Sequence, residues 1–129
     1  MDQISDTFPI AFPLESFYKS RIMKITRLYT GKDGESHFEE IEVPAEKLQA
    51  AEGIRFRVGP VGQVQDWHPA PRRQYVITLS GQGEIEIGDG AKKRFGPGDI
   101  MLADDLTGRG HMTRVVGNQP RLYVQIPLK

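Results

Sequence analysis

Residues 62–81 read G-Q-V-Q-D-W-H-P-A-P-R-R-Q-Y-V-I-T-L-S-G, and this stretch decides the fold. Its second half, residues 74–79 (Q-Y-V-I-T-L), is rich in β-branched and aromatic residues on both faces, which is typical of a central strand. Ahead of that run lie His68 and two prolines, Pro69 and Pro71. Because proline cannot donate a hydrogen bond to a neighbouring strand, the segment around His68 is predicted to lie at the edge or rim of a sheet.

The rest of the chain consists of similar short segments, which alternate in polarity and are separated by glycine and proline turns. One short helix is allowed at residues 45–51, after Pro44. About ten short strands with turns every 8–12 residues predict an all-β sandwich or barrel. The predicted strands are residues 21–29, 38–43, 54–58, 64–68, 74–79, 84–87, 92–95, 99–102, 112–116 and 121–126.

Length and composition set the broad class of the protein. A chain of 129 residues is typical of one domain. It contains no cysteine, which removes disulfides and thiolate chemistry and favours a reducing compartment, so a cytoplasmic location is expected. Seventeen basic and seventeen acidic residues cancel, so neither a nucleic acid nor a membrane is expected as a partner.

The first 21 residues are predicted to form an extension, with the β-domain occupying residues 22–129. Prolines interrupt the apolar run at residues 8–13 and no basic segment precedes it, so a signal peptide is not expected. Four aromatic residues fall within eleven positions of this extension. It is therefore predicted either to pack as an arm on the β-domain or a partner subunit, or to form a loosely ordered tail.

The spacing within residues 62–81 resembles the first motif of the cupin superfamily: Gly, five residues, His-x-His, three or four residues, Glu, six residues, Gly. Gly62, His68 and Gly81 fall in place, whereas Ala70 stands at the second histidine and Gln74 at the glutamate. Pro97-Gly98-Asp99 and the later Gly108-x-x-His111 resemble the second cupin motif. The resemblance covers residues 54–127 and implies a single cupin-like jelly-roll barrel, a small β-barrel with a concave interior.

The resemblance also implies a site in that interior. His68, Gln74 and His111 would hold one divalent metal ion, namely Fe, Mn, Ni or Zn. This set carries no negative charge, and Asp66, Asp104 or Asp105 could supply a carboxylate to it. The alternative is that both histidines are metal-free polar residues. The third histidine, His37, is expected at an exposed position or, alternatively, as a third imidazole of the site.

Three residues near His68 are candidates for binding a substrate. Asp66 shares a strand face with His68 because alternate residues point the same way. Arg73 can pair with a carboxylate or phosphate, and Trp67 can stack on a ligand. The alternatives are a surface ion pair for Arg73, next to Arg72, and a core or interface position for Trp67.

Three functions fit these residues: a metal-dependent enzyme of dioxygenase or isomerase type, a non-enzymatic binding or sensing module, and a metal-free isomerase or epimerase with a histidine base. In each case the ligand is a small polar or anionic molecule. The outward faces of residues such as Tyr75, Ile77 and Leu79 are apolar, so a second sheet or a homodimer partner is expected to cover them.

Overall fold

A computed structural model describes residues 23–129, which form ten strands and no helix. The predicted extension therefore lies outside the described residues. The strands are β1 (Lys24–Thr30), β2 (Ser36–Glu42), β3 (Arg55–Gly59), β4 (Val64–His68), β5 (Gln74–Ser80), β6 (Gln82–Glu86), β7 (Lys92–Phe95), β8 (Ile100–Asp104), β9 (His111–Val116) and β10 (Arg121–Pro127).

All ten predicted strands are present, with ends that shift by at most three residues. The short helix allowed at residues 45–51 does not form. Residues 45–46 make a turn instead, in which Glu46 has a φ of 66°. A left-handed residue at this point ends any right-handed helix before its first turn is complete.

The strands form two sheets that pack face to face. One has six strands in the order β2-β1-β8-β5-β10-β3, and the other has four in the order β4-β9-β6-β7. Every pairing is antiparallel except that of β1 with β8. The all-β prediction is confirmed, and the described strands make two open sheets rather than one closed barrel.

The core lies between the sheets and follows the alternation of the strands. On β5, Val76 and Thr78 are buried while Leu79, on the opposite face, is half exposed. Removing the contacts of a core residue such as Leu28 by truncation to alanine would cost roughly 2–5 kcal/mol. The buried hydrophobic cluster comprises Leu28, Ala70, Val76, Ile85, Ile87, Phe95, Met101, Ala103 and Tyr123.

Since residues 23–129 form no helix, they contain no helical segment that could span a bilayer.

Candidate functional site

Strands β4 and β9 bring His68 and His111 side by side. The two residues are direct cross-strand partners, and their ring centroids are 4.6 Å apart at an interplanar angle of 54°. Gly110 allows this approach, because a Cβ atom at its position would overlap the backbone carbonyl of His68. Its φ of +81° also lies in the region that favours glycine. The meeting of the two histidines across 43 residues of sequence thus depends on this glycine.

His111 forms a buried pair with Asp105. Its Nδ1 atom lies 2.6 Å from the Asp105 Oδ2 atom, and neither residue is open to solvent. Ser36 Oγ donates a second hydrogen bond to the same oxygen, at 2.7 Å. A carboxylate acceptor fixes the neutral imidazole as the tautomer with its proton on Nδ1. His111 therefore presents the lone pair of Nε2 as its free basic site.

The other oxygen of the Asp105 carboxylate, Oδ1, is buried without a hydrogen-bond partner among the described residues. Burying a charged oxygen without a partner is costly. The negative charge of the carboxylate is therefore balanced mainly at Oδ2, by the hydrogen bonds from His111 and Ser36.

His68 is oriented by the backbone. Its Nδ1 atom lies 2.6 Å from the carbonyl oxygen of Asp66, a partner that can only accept, so Nδ1 carries the proton here too. The Asp66 side chain bonds the backbone N–H of Trp67 instead. His68 and His111 therefore both keep Nε2 free of protein partners in the part of the chain that the structure describes.

Both histidines line a cavity of about 210 Å³ between the two sheets. This volume is below the ~300–1,000 Å³ of typical ligand pockets, so it suits a small molecule. Gln74 faces the same cavity from β5 and is buried. The predicted metal-binding residues are thus together in space. The other lining residues are Arg57, Gln65, Ala70, Pro71, Val76, Ile85, Met101, Ala103, Thr113, Arg121, Tyr123 and Gln125.

The charges around the cavity do not suit a divalent cation. Among residues 23–129, its charged lining groups are Arg57 and Arg121, and no aspartate or glutamate lines it. Asp105 already holds His111. Within residues 23–129, no three histidine, aspartate or glutamate side chains form a metal-binding group. Two imidazoles and one amide leave a divalent charge without compensation next to two guanidinium groups.

The predicted substrate-binding residues Asp66, Trp67 and Arg73 do not line this cavity. Arg73 is half exposed, with Nε 3.5 Å from Asp104 Oδ1. Trp67 packs under the guanidinium of Arg109, whose Cζ is 4.3 Å from a ring centroid of the indole. The role of these three residues in substrate binding stays a prediction.

Two further side chains discussed above lie on the surface. Arg72 pairs with Glu52 at 2.8 Å, and both side chains are exposed. His37 is a β2 residue whose Nε2 atom is 3.0 Å from Asp33 and whose ring packs near that of Tyr29. It does not line the cavity, so it adds no third imidazole there.

Sequence reasoning missed the two arginines of the cavity. Arg57 and Arg121 belong to strands in which charged or polar residues alternate with apolar ones, a pattern that normally places the polar side outside. Here the polar side faces inward, and Phe56 and Val58 on the opposite face of β3 are 71% and 65% exposed. The exposed apolar residues are visible only in the structure.

No protein-family model and no curated protein matches this chain. Solved structures do. A cupin 2 conserved barrel domain protein from Leptotrichia buccalis is 14% identical at a TM-score of 0.47, covering 83% of this chain, which spans only 41% of that protein. An RmlC-like cupin from Desulfovibrio desulfuricans is 17% identical at a TM-score of 0.44, and the match covers 94% of this chain and 92% of that protein. The Cnp3 cupin domain of Schizosaccharomyces pombe is 17% identical at a TM-score of 0.45, and the match covers 89% of this chain and 88% of that domain. All three are described as cupins.

Proposed function

We propose that this chain, which resembles the cupins in its fold, binds a small polar molecule between its two sheets and moves a proton on it with His111. The observation that carries this proposal is the buried hydrogen bond from His111 Nδ1 to Asp105 Oδ2. It leaves Nε2 as the basic atom on the cavity side of the pair. The reaction class is proton transfer of the isomerase or epimerase type.

In this reaction Nε2 of His111 takes a proton from a C–H or O–H bond of the bound molecule. The electron pair of that bond stays on the substrate, and the imidazole becomes a cation. Asp105 stabilises this cation and holds the ring in position; such positioned acid–base groups contribute typically 10²–10⁴-fold to a rate. The Nε2–H of the His111 cation then returns the proton to another atom of the substrate, and the free Nε2 of the neighbouring His68 accepts a hydrogen bond from the substrate and orients it.

Binding without reaction is the second function that this cavity supports. A sensing module would use the same lining but would not need an oriented base. Gln74 favours this reading in one respect, since it is a buried neutral amide facing the ligand space and suits hydrogen bonding rather than acid–base chemistry. The two functions differ in whether removing the His111 base abolishes a reaction.

The metal hypothesis remains a separate proposal for His68, Gln74 and His111. The closeness of two imidazoles, each with a free Nε2, supports it, and the positive charge of the cavity argues against it. Elemental analysis of chelator-free protein, before and after reconstitution with Fe, Mn, Ni and Zn, tests it. About one equivalent of metal that disappears in His68→Ala would establish the site.

We also propose a homodimer, formed through the outer face at the β3 end of the six-stranded sheet. Ile54, Phe56, Val58 and Leu122 are exposed there, and β3 is the last strand on that side. A second copy of the chain can cover such a patch symmetrically, with the same residues on both sides.

The test of the proton-transfer function follows hydrogen exchange rather than a chosen product. A panel of small carbonyl compounds and hydroxy acids is incubated with the protein in D₂O, and NMR follows deuterium entering their C–H positions. Exchange that depends on protein and is lost in His111→Gln supports the proposal. Equal exchange in the wild type and in His111→Gln would show that His111 is not the base. No exchange with any compound would favour the binding module.

A further inference from the structure

Arg121 is a buried charge that faces the cavity. It is the first residue of β10, it is 4% exposed, and it lines the cavity. Burial lowers the pKa of its guanidinium below the ordinary value, but an arginine keeps its charge at neutral pH. A buried charge is costly unless it is paired and hydrogen-bonded.

The hydrogen bonds and the ring contact that Arg121 makes within residues 23–129 involve only neutral side chains. Its Nε and Nη2 atoms donate to Thr78 Oγ1, at 3.2 and 2.9 Å, and its Cζ atom is 4.5 Å from the Tyr123 ring centroid. No carboxylate among residues 23–129 forms an ion pair with it. Thr78 occupies the Nε side of the guanidinium, so the edge formed by Nη1 and Nη2 has donors to spare.

The guanidinium of Arg121 packs directly against the backbone of Gly83. A Cβ atom at this position would lie 2.6 Å from Cζ and 2.7 Å from Nε and Nη1 of Arg121. Only a residue without a side chain lets the guanidinium occupy this place. The guanidinium is thus fixed at its Nε side by Thr78 and against β6 at Gly83, which is the preorganisation that a binding group needs.

The arginine and the histidines lie towards opposite ends of the cavity. Gly83 pairs with Val115 on β9, and His111 begins the same strand. Four residues of strand place the Cα atoms of Val115 and His111 about 13 Å apart. Arg57 adds a second guanidinium to the lining, and its Nη1 atom donates to Gln125 at 3.4 Å.

We infer that Arg121 binds the carboxylate group of a small organic acid, whose polar remainder extends towards His68 and His111. The free Nη1–Nη2 edge offers two parallel N–H donors, and this geometry matches the two oxygens of a carboxylate. A phosphate is less well matched, because residues 23–129 form no helix whose N-terminus could supply backbone N–H groups to it. This inference rests on the proposed function for the position of the reacting group, but the anion site can be tested without it.

The probes are acetate, glycolate and malonate, with acetamide as the uncharged counterpart of acetate and inorganic phosphate as the competing anion. NMR titration measures their affinities for the wild type and four variants. Arg121→Met removes the charge. Arg121→Lys keeps the charge but lacks the two parallel N–H donors of the guanidinium. Gly83→Ala keeps Arg121 but displaces its flexible end, and Arg72→Met removes an exposed arginine outside the cavity.

We expect the best carboxylate to bind the wild type roughly 10- to 100-fold more tightly than acetamide, because a hydrogen bond to a charged group contributes more than one to a neutral group. Arg121→Met should abolish this preference, Arg121→Lys and Gly83→Ala should each reduce it, and Arg72→Met should leave it unchanged. If Arg121→Met does not fold, the other two cavity variants still decide the question.

Equal binding of acetate and acetamide, or an undiminished preference in Gly83→Ala and Arg121→Lys, would overturn the carboxylate site. Tighter binding of phosphate than of every carboxylate would overturn the assignment to an organic acid. These outcomes are independent of the exchange experiment. Exchange that requires His111 without any carboxylate preference would refute this inference alone, whereas carboxylate binding through Arg121 without exchange would refute the proton-transfer function alone.

Discussion

Asp105 Oδ2 lies 2.6 Å from Nδ1 of His111, inside the protein and on the side of the imidazole away from its free Nε2 atom. The pair is made by a loop, because Asp105 directly follows β8 and His111 begins β9. The backbone of Asp105 also contributes, since its carbonyl oxygen accepts the Ala70 N–H at 2.9 Å. One residue therefore anchors the segment after His68 and orients His111.

Asp105→Asn should abolish or strongly reduce the proposed proton transfer. An asparagine cannot stabilise the imidazole cation, so we expect a loss of roughly 10²–10⁴-fold in any His111-dependent exchange rate. Stability should fall by about 1–3 kcal/mol, because a buried hydrogen-bond network is disturbed. Asp104→Asn is the control, since Asp104 pairs with Arg27 and Arg73 outside the cavity. Equal rates in wild type and Asp105→Asn would show that the pair is structural.

Gly110→Ala should cost more stability than Gly117→Ala. Both glycines have a positive φ, +81° and +84°, so both substitutions strain the backbone, at about 1 kcal/mol. At Gly117 a Cβ atom meets nothing within 4 Å, whereas at Gly110 it overlaps the carbonyl of His68. Denaturant unfolding measures the difference, which we expect to exceed 1 kcal/mol. Equal losses would mean that β4 and β9 can separate at the histidines without cost.

Much of this fold is predictable from the sequence because glycines and prolines mark the ends of the strands. The meeting of His68 and His111 is predictable only through the cupin-like spacing, since no local pattern joins them. The orientation of β3 and β10 is not predictable from alternation. Arg57 and Arg121 face the cavity between the sheets, and Phe56 faces outward, so the usual rule of apolar residues inside is reversed at these positions. The Asp105–His111 contact also escapes prediction, because it depends on the path of a loop.

Phe56→Glu should weaken or abolish the proposed homodimer. A charge in the middle of an apolar interface must be desolvated without a partner, which disfavours association. Sedimentation velocity over a concentration series measures the change. Leu48→Glu is the matched control, because Leu48 is 96% exposed and does not belong to any named strand. A wild type that stays monomeric throughout the series, or a Phe56→Glu dimer as tight as the wild type, would contradict the proposal.

Asp33 should give the turn between β1 and β2 a stability that depends on acid pH. The backbone N–H of Glu35 and the ring of His37 hydrogen-bond its carboxylate and lower its pKa. A carboxylate with a lowered folded-state pKa stabilises the protein above the ordinary aspartate pKa, and this contribution is lost as the pH falls through the lower value. The stability of Asp33→Asn should therefore fall less steeply than that of the wild type as the pH decreases below about 4. Acid titrations with parallel slopes for the two proteins would refute this.

The most direct test of the central claim is the protonation of the two nitrogens of His111, measured by ¹⁵N NMR of histidine-labelled protein with His111→Gln to assign the signals. In the neutral ring we predict a proton on Nδ1, bonded to Asp105, and an unprotonated Nε2. Adding a bound carboxylate ligand should shift the Nε2 signal. A neutral ring with its proton on Nε2, or an Nε2 signal that no ligand changes, would contradict the assignment of His111 as the base of this cavity.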